Sequence, residues 1–289
     1  DMPSELFRRL FCCVNADRRL LLRGNLMKTY LYIAKLRMQT MLAYRMEVIT
    51  YTVMQALIML SVGFFWKAAY GGTEAAHGVT GDSMITYTVI SALMGSLYYM
   101  GVEDRISDAV KTGSIATDMI KPINLFGMYF AEDMGNLVIC FFQSALPIFI
   151  VALLIFGLPV PASLQHFLMF IPSFALGYGI NWTFSALFAM IAFTAIDLGP
   201  AFSVKYHFVN MLSGALVPIW FFPAWLRTAV NCLPFVYMFQ TPLGIYIGKY
   251  SISEGLQALG IQAIWFAVLA VIVVIAQKRI EKRVLVQGG

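Results

Sequence analysis

Charge is scarce in this chain: 12% of its 289 residues are Asp, Glu, Lys or Arg, against roughly a quarter in ordinary soluble domains. A water-soluble enzyme or binding domain is excluded on that ground. Histidine is rarer still, and the three residues His77, His166 and His207 fall in separate regions without the paired spacing of a zinc site. The four cysteines, Cys12, Cys13, Cys140 and Cys232, have neither metal-ligand spacing nor a disulfide-scaffold pattern, and read as free thiols. No nucleophile elbow and no His-Glu-x-x-His run is present. Gly244-Ile-Tyr-Ile-Gly248-Lys249 is one residue too short between its glycines for a phosphate loop, and Tyr250 stands where Ser or Thr is needed. Catalytic residues, a metal site and a bound cofactor are therefore not expected in this chain. No stripe of basic and aromatic residues on a soluble surface points to nucleic acid.

What the chain has is apolar length. Hydrophobic residues make up 60% of it, and six stretches are long enough for a hydrocarbon core that takes about 20 residues per helix: 48–66, 84–102, 134–157, 164–196, 198–222 and 258–276. The expected fold is all-α, a polytopic membrane protein with six transmembrane helices. Basic residues orient it, because cytosolic flanks retain Lys and Arg. With the N-terminus inside, sixteen of the 20 fall on cytosolic segments and only Lys67, Arg227 and Lys249 face outward, Lys205 lying within the fifth span. Both termini are expected in the cytosol, and the net charge of +5 reads as topology and contact with the lipid bilayer.

Residues 1–25 lack an uninterrupted apolar core and are expected to be a poorly ordered extension rather than a cleaved leader. Residues 26–283 form the membrane domain, and 284–289 a cytosolic tail. Leu26 to Arg45 is too charged to span. Lys28, Tyr32, Lys35 and Gln39 make a polar stripe suited to an N-terminal interfacial helix, with Arg37 on the opposite side in need of a partner. Trp66, Tyr70, Trp220, Phe221, Phe222 and Trp225 fit an outer aromatic belt. Between Pro218 and Tyr246, Pro218, Pro223, Pro234 and Pro242 interrupt an apolar stretch, which predicts a re-entrant outer segment of short helices packed over the spans. Leu212-Ser213-Gly214-Ala215 reads as helix packing, as do Ser173, Gly177 and Gly179.

The densest charge lies after the second span, where Glu103, Asp104, Arg105, Asp108, Lys111, Asp118 and Lys121 sit between two apolar runs. On a helix, Val102, Ile106, Ala109 and Val110 share one face while Glu103, Asp104, Ser107, Asp108 and Lys111 point elsewhere. Gly113 can stop that helix in a left-handed conformation, and a second short helix ends at Lys121-Pro122. The loop is expected to lie flat beneath the bilayer as a docking lever. Within the spans, ionisable residues are costly and so are candidates for function: Glu132 and Asp133, which also fit an interfacial elbow before the third span, Asp197 at a cytosolic turn, and Lys205, which could snorkel to the inner face.

Taken together, the interfacial helix, the charged loop and the proline-broken outer segment resemble the membrane subunit of an ABC transporter of the type-2 exporter class. More narrowly, Ile115-x-x-Asp118-Met119-Ile120-Lys121-Pro122-Ile123, Leu212-Ser213-Gly214-x-x-x-Pro218, Phe222-Pro223-x-Trp225-Leu226 and Leu233-Pro234-Phe235 are similar to a bacterial six-span permease subfamily, from about Met27 to Gly289. The resemblance implies a bacterial inner-membrane permease paired with a second permease, identical or homologous. ATP and Mg would be bound by a partner ABC ATPase. It further implies that 102–121 meets that ATPase and that Pro218, Pro223, Trp225 and Pro234 belong to an outer gate. The cargo expected is an amphipathic or lipid-like compound or drug. The alternatives are a gradient-driven secondary transporter, for which no inverted repeat is visible, and a membrane-embedded enzyme.

Overall fold

The computed structural model describes residues 26–43, 45–71, 75–98, 101–193 and 199–287. Residues 1–25, with Cys12 and Cys13, Asp197, and the last two residues of the expected tail lie outside the described residues.

The chain is helical almost throughout. Helix α1 (Leu26–Ala43) and α2 (Arg45–Ala69) lead to a two-residue hairpin, β1 (Ala75–Ala76) with β2 (Val79–Thr80), turned by His77 and Gly78 at φ 51° and 73°. Such positive angles suit tight hairpin turns. Helix α3 (Gly81–Leu97) starts at Thr80, whose hydroxyl accepts from the Ser83 amide at 3.3 Å. Then follow α4 (Val102–Thr112), α5 (Ile115–Ile120) and α6 (Leu125–Cys140), the last capped by Asn124 accepting from the Gly127 amide at 2.8 Å.

Helix α6 continues through one π-helical turn, Phe141–Ala145, into α7 (Leu146–Phe156). The cause is local. Pro147 has no amide to give the Gln143 carbonyl four residues back, so the ladder must be interrupted there. Thr52 of α2 reaches in, its hydroxyl 3.3 Å from the freed carbonyl and 2.7 Å from the Ser144 hydroxyl. After α8 (Leu164–Ala189) comes a 3₁₀ turn, Met190–Phe193, then α9 (Gly199–Leu212), a 3₁₀ turn at Ile219–Phe221, α10 (Ala224–Asn231), a further turn at Pro234–Tyr237, α11 (Gln240–Tyr246) and the long α12 (Ile252–Gln287).

Among the described residues, five stretches are long and apolar enough to cross a membrane: Val48–Ala69, Gly81–Thr112, Leu125–Phe156, Leu164–Phe193 and Ile252–Ile280. Two sequence expectations change here. The third long helix begins at Leu125 rather than at Met134, so Glu132 and Asp133 stand inside it and not in an elbow before it. The stretch 198–222, expected as a sixth span, is helical only as far as Leu212. Its 14 residues reach about 21 Å, short of the roughly 30 Å of a hydrocarbon core.

Close approach at glycine organises the packing. A Cβ at Gly135 would collide with the Ala34 carbonyl, so α1 lies backbone to backbone on α6. One at Gly177 would meet the Met238 carbonyl and Tyr98, and one at Gly179 would enter the Phe266 ring, seating the proline-broken segment and α12 on α8 as small residues in spans permit. Ser173 and Gln262 join the same contact at 2.8 Å. Helices α2 and α12 leave most of their apolar surface uncovered.

The connectors gather at two ends. At one, Tyr246 and Ala162 tie 157–163 to α11 (Tyr246 hydroxyl to the Pro159 carbonyl 2.7 Å, Ala162 amide to the Tyr246 carbonyl 3.0 Å), while Lys249 donates to the His77 carbonyl. Here the aromatic belt is corrected. Trp66, Tyr70 and Trp220 are buried, with Trp66 stacked 5.0 Å from Phe221 and Trp220 edge-on to Tyr87 at 5.5 Å. Only Trp225, 72% exposed, is placed as an anchor would be. The other end carries α4 and α5.

Candidate functional site

Helix α4 is built on the spacing the sequence shows. Val102 and Ile106 are fully buried and Ala109 nearly so, against α8 and the turn that follows it. Gly113 closes the helix at φ 75°, its amide bonded to the Val110 carbonyl at 3.2 Å. Ile115 anchors α5, which ends where Lys121 turns extended before Pro122. Asp118 holds the turn shut, paired with Lys121 at 2.7 Å and accepting from the Tyr129 hydroxyl of α6 at 3.0 Å. Asp104, Asp108, Lys111, Gly113, Lys121 and Pro122 are exposed, together with Ile120 at 74%. The surface presented at this end is therefore charged, with one large apolar side chain at its tip.

Two charges expected on that surface point inward instead. Arg105 reaches α6, 3.0 Å from Glu132 and 2.8 Å from Asp133, with its guanidinium 5.7 Å over the Tyr129 ring. Asp133 has no solvent exposure. Its other oxygen accepts from the Trp182 indole at 2.8 Å, and Asn136 adds a 3.3 Å bond. Asn136 in turn accepts from Arg37 at 3.0 Å, which is the partner that α1 cation needed. The cation and the hydrogen-bond donors around this buried carboxylate stand in for the water it gives up. Glu103 pairs with Lys205 of α9, which also donates to the Ser185 hydroxyl of α8 at 2.7 Å. Lys205 thus reaches toward the α4 end of the molecule, where Glu103 receives it. Charges of the loop after the second span and intramembrane ionisable residues, separate sets in the sequence, thus meet in two clusters, Glu103 with Lys205 and Arg105 with Glu132 and Asp133.

Beside the Glu103–Lys205 pair lies a cavity of about 810 Å³ between α2, α3, α8 and α9. Tyr51, Gln55, Ile58, Met59 and Val62 line it along α2, about 16 Å of helix. Thr88, Ser91 and Tyr98 face it from α3, and Asn181 and Ser185 from α8. Glu103, Asp104 and Lys205 stand at the α4 end.

Near the opposite end α9 stops at a constructed break, which corrects the reading of Leu212-Ser213-Gly214-Ala215 as packing. Gly214 has φ 80°, and the carbonyls freed there are taken by hydroxyls of α3: Tyr87 to Gly214 and Ser91 to Ala215, each at 2.6 Å. Gln240 completes the lock, its side-chain oxygen accepting from Tyr87 at 3.0 Å and the Ile219 amide at 3.1 Å. Pro218 and Pro223 precede the short helices after the break, and Pro234 opens the 3₁₀ turn at 234–237; Pro218 and Pro234 are buried, Pro223 and Trp225 exposed. Pro242 does not interrupt a helix but sits in the first turn of α11, where an amide is dispensable. Tyr87, Gln240, Trp182, Asn136 and Ser185 were missed from sequence. Polar residues in apolar runs were the available signal. Among the described residues no three His, Cys, Asp or Glu side chains gather to hold a metal.

No curated protein matches this chain significantly. The profile of the family described as ABC-2 family transporter protein matches residues 53–283, from the third turn of α2 to the last turns of α12. The match takes in most of α2 and the helices after it, the charged loop, the locked break and the cavity lining apart from Tyr51, and on it the chain belongs to the ABC-2 family of transporter membrane proteins, as a multi-pass ABC transporter permease.

Proposed function

We propose that this permease is the transmembrane subunit of an ATP-driven exporter for amphipathic compounds, drugs or lipids. It is energised by a separate ABC ATPase that binds ATP and Mg and docks on α4 and α5. The observation that supports this reading is the connection between the docking end and the cavity: Glu103, one turn from the exposed charges of α4, is ion-paired to Lys205 on a helix that lines the cavity. A push on α4 would be passed to α9 through that pair and to α6 through Arg105. The α4–α5 end then faces the cytosol of a bacterial inner membrane, with both termini on that side. A second permease, identical or homologous, covers the other face of the path, and 218–246 caps it on the outside.

The test is recovery of the ATPase. Mass spectrometry of proteins retained by the tagged chain in mild detergent should find an ABC ATPase, and the doubly reversed variant Asp108→Lys with Lys111→Glu should lose it while still inserting in the membrane. An ATPase retained undiminished by that variant removes α4 as the docking site. A folded wild-type chain that retains none removes the reading.

A further inference from the structure

The charges lining the cavity do not cancel. Among the described residues they are Glu103, Asp104 and Lys205, with His207 also on the wall. Glu103 and Lys205 neutralise each other, and Lys205 is further committed to the Ser185 hydroxyl at 2.7 Å and lies 5.7 Å over the Phe184 ring. Asp104 has no ion-pair partner among the described residues. One carboxylate, itself exposed, is thus left unpaired at the open α4 end of a mainly apolar chamber.

Around it the walls carry rings. Tyr51, Tyr98, Phe202, Tyr206 and Phe239 all line the cavity. Aromatic faces are negative and attract cations, and a low-dielectric cleft strengthens the field of an uncompensated charge within it. An anionic head group would meet Asp104, with Lys205 already engaged by Glu103 and Ser185. A cationic one would bring the lining to neutrality without breaking any pair.

We propose that the cavity takes a cationic amphiphile, an ammonium- or phosphonium-type head with an apolar body, its charge against Asp104 and its body among the rings and the aliphatic side chains of Ile58, Met59 and Val62. The proposal rests on reading this cavity as part of the transport path. It adds the sign of the cargo's charge.

Tetraphenylphosphonium and tetraphenylborate test it, being nearly identical in shape and opposite in sign. Equilibrium dialysis would use the full chain in lipid nanodiscs with its co-purifying subunits, without nucleotide, subtracting empty discs. The phosphonium should bind more tightly than the borate. Asp104→Asn should weaken the phosphonium about two- to fivefold, the range for an exposed charge pair, while Asp82→Asn at the far end of α3 changes nothing. Lys205→Gln, which strips the lysine from the described lining, should tighten it. Borate binding equal to or better than phosphonium overturns the proposal, and so does an Asp104→Asn variant with unchanged affinity. Selective phosphonium binding by a chain that retains no ATPase would uphold the cation site while removing the ATP-driven reading, so the two fail separately.

Discussion

Asp133 shows how one residue can be both a cost and a fastener. Its carboxylate is fully buried, yet it receives Arg105 at 2.8 Å, the Trp182 indole at 2.8 Å and the Asn136 amide at 3.3 Å, which together join α4, α6 and α8. Replacing it by Asn keeps an acceptor for Trp182 and leaves the guanidinium with Glu132 alone. Removing one partner of a buried pair costs about 3 kcal/mol or more, so Asp133→Asn should lower the thermal midpoint in detergent and loosen α4. An unchanged midpoint would mean that Glu132 suffices to hold Arg105. Gly135, two residues on, makes a steric counterpart. A methyl there meets the backbone carbonyl of Ala34, which cannot swing aside as a side-chain end could. Gly135→Ala should therefore push α1 off α6 at a cost of about 1–3 kcal/mol, read as faster proteolysis within 26–43. Equal protection of α1 in the variant would count against this packing.

At the scale of elements, the short charged helix was the most legible part of the sequence. Val102, Ile106 and Ala109 at helical spacing, a glycine after the last turn and Lys121-Pro122 fix α4 and α5 by local rules, and the structure places each as those rules require. Gly113 carries that logic to a test: nothing stands within 4 Å of a Cβ there, so only its positive φ opposes substitution. Gly113→Ala should cost about 1 kcal/mol and lower ATPase coupling more than it lowers insertion; coupling at the wild-type level would show that the left-handed stop is dispensable. The break in α9 was illegible for the converse reason. Ser213-Gly214 sits in an apolar run that hydropathy alone extends to Phe222, and the groups that end the helix are Tyr87, Ser91 and Gln240, remote in sequence. Tyr87→Phe removes a buried hydroxyl that reaches the Gly214 carbonyl at 2.6 Å. About 1–2 kcal/mol of stability should go with it, and the accessibility of an engineered cysteine at the exposed Leu216 should rise; unchanged labelling would mean the lock does not restrain the break. The third span was misplaced on the same principle. Glu132 and Asp133 count against a span until Arg105 is seen to meet them, and that meeting exists only in three dimensions.

For the molecule as a whole, the question is how a push at one end would reach the middle of the membrane, and the Glu103–Lys205 pair is the shortest connection. Glu103 rides on α4 beside its exposed charges. Lys205 lies two turns into α9, on the wall of the cavity, with both side chains largely shielded from solvent (13% and 9% exposed). Shielding makes the pair stiffer than a surface bridge, because little water competes for either partner. If it carries displacement, sign matters less than pairing. Glu103→Lys alone sets two cations together and Lys205→Glu alone sets two anions together, so each should reduce transport and raise the fraction of ATP hydrolysed without it. The double swap restores the attraction with its direction reversed and should recover much of what either single change loses, a non-additivity of about 1–3 kcal/mol when the rates are expressed as free energies. Two single losses that simply add in the double variant would place the coupling elsewhere, with Arg105 and the α6 carboxylates as the remaining physical route from α4 into the membrane domain.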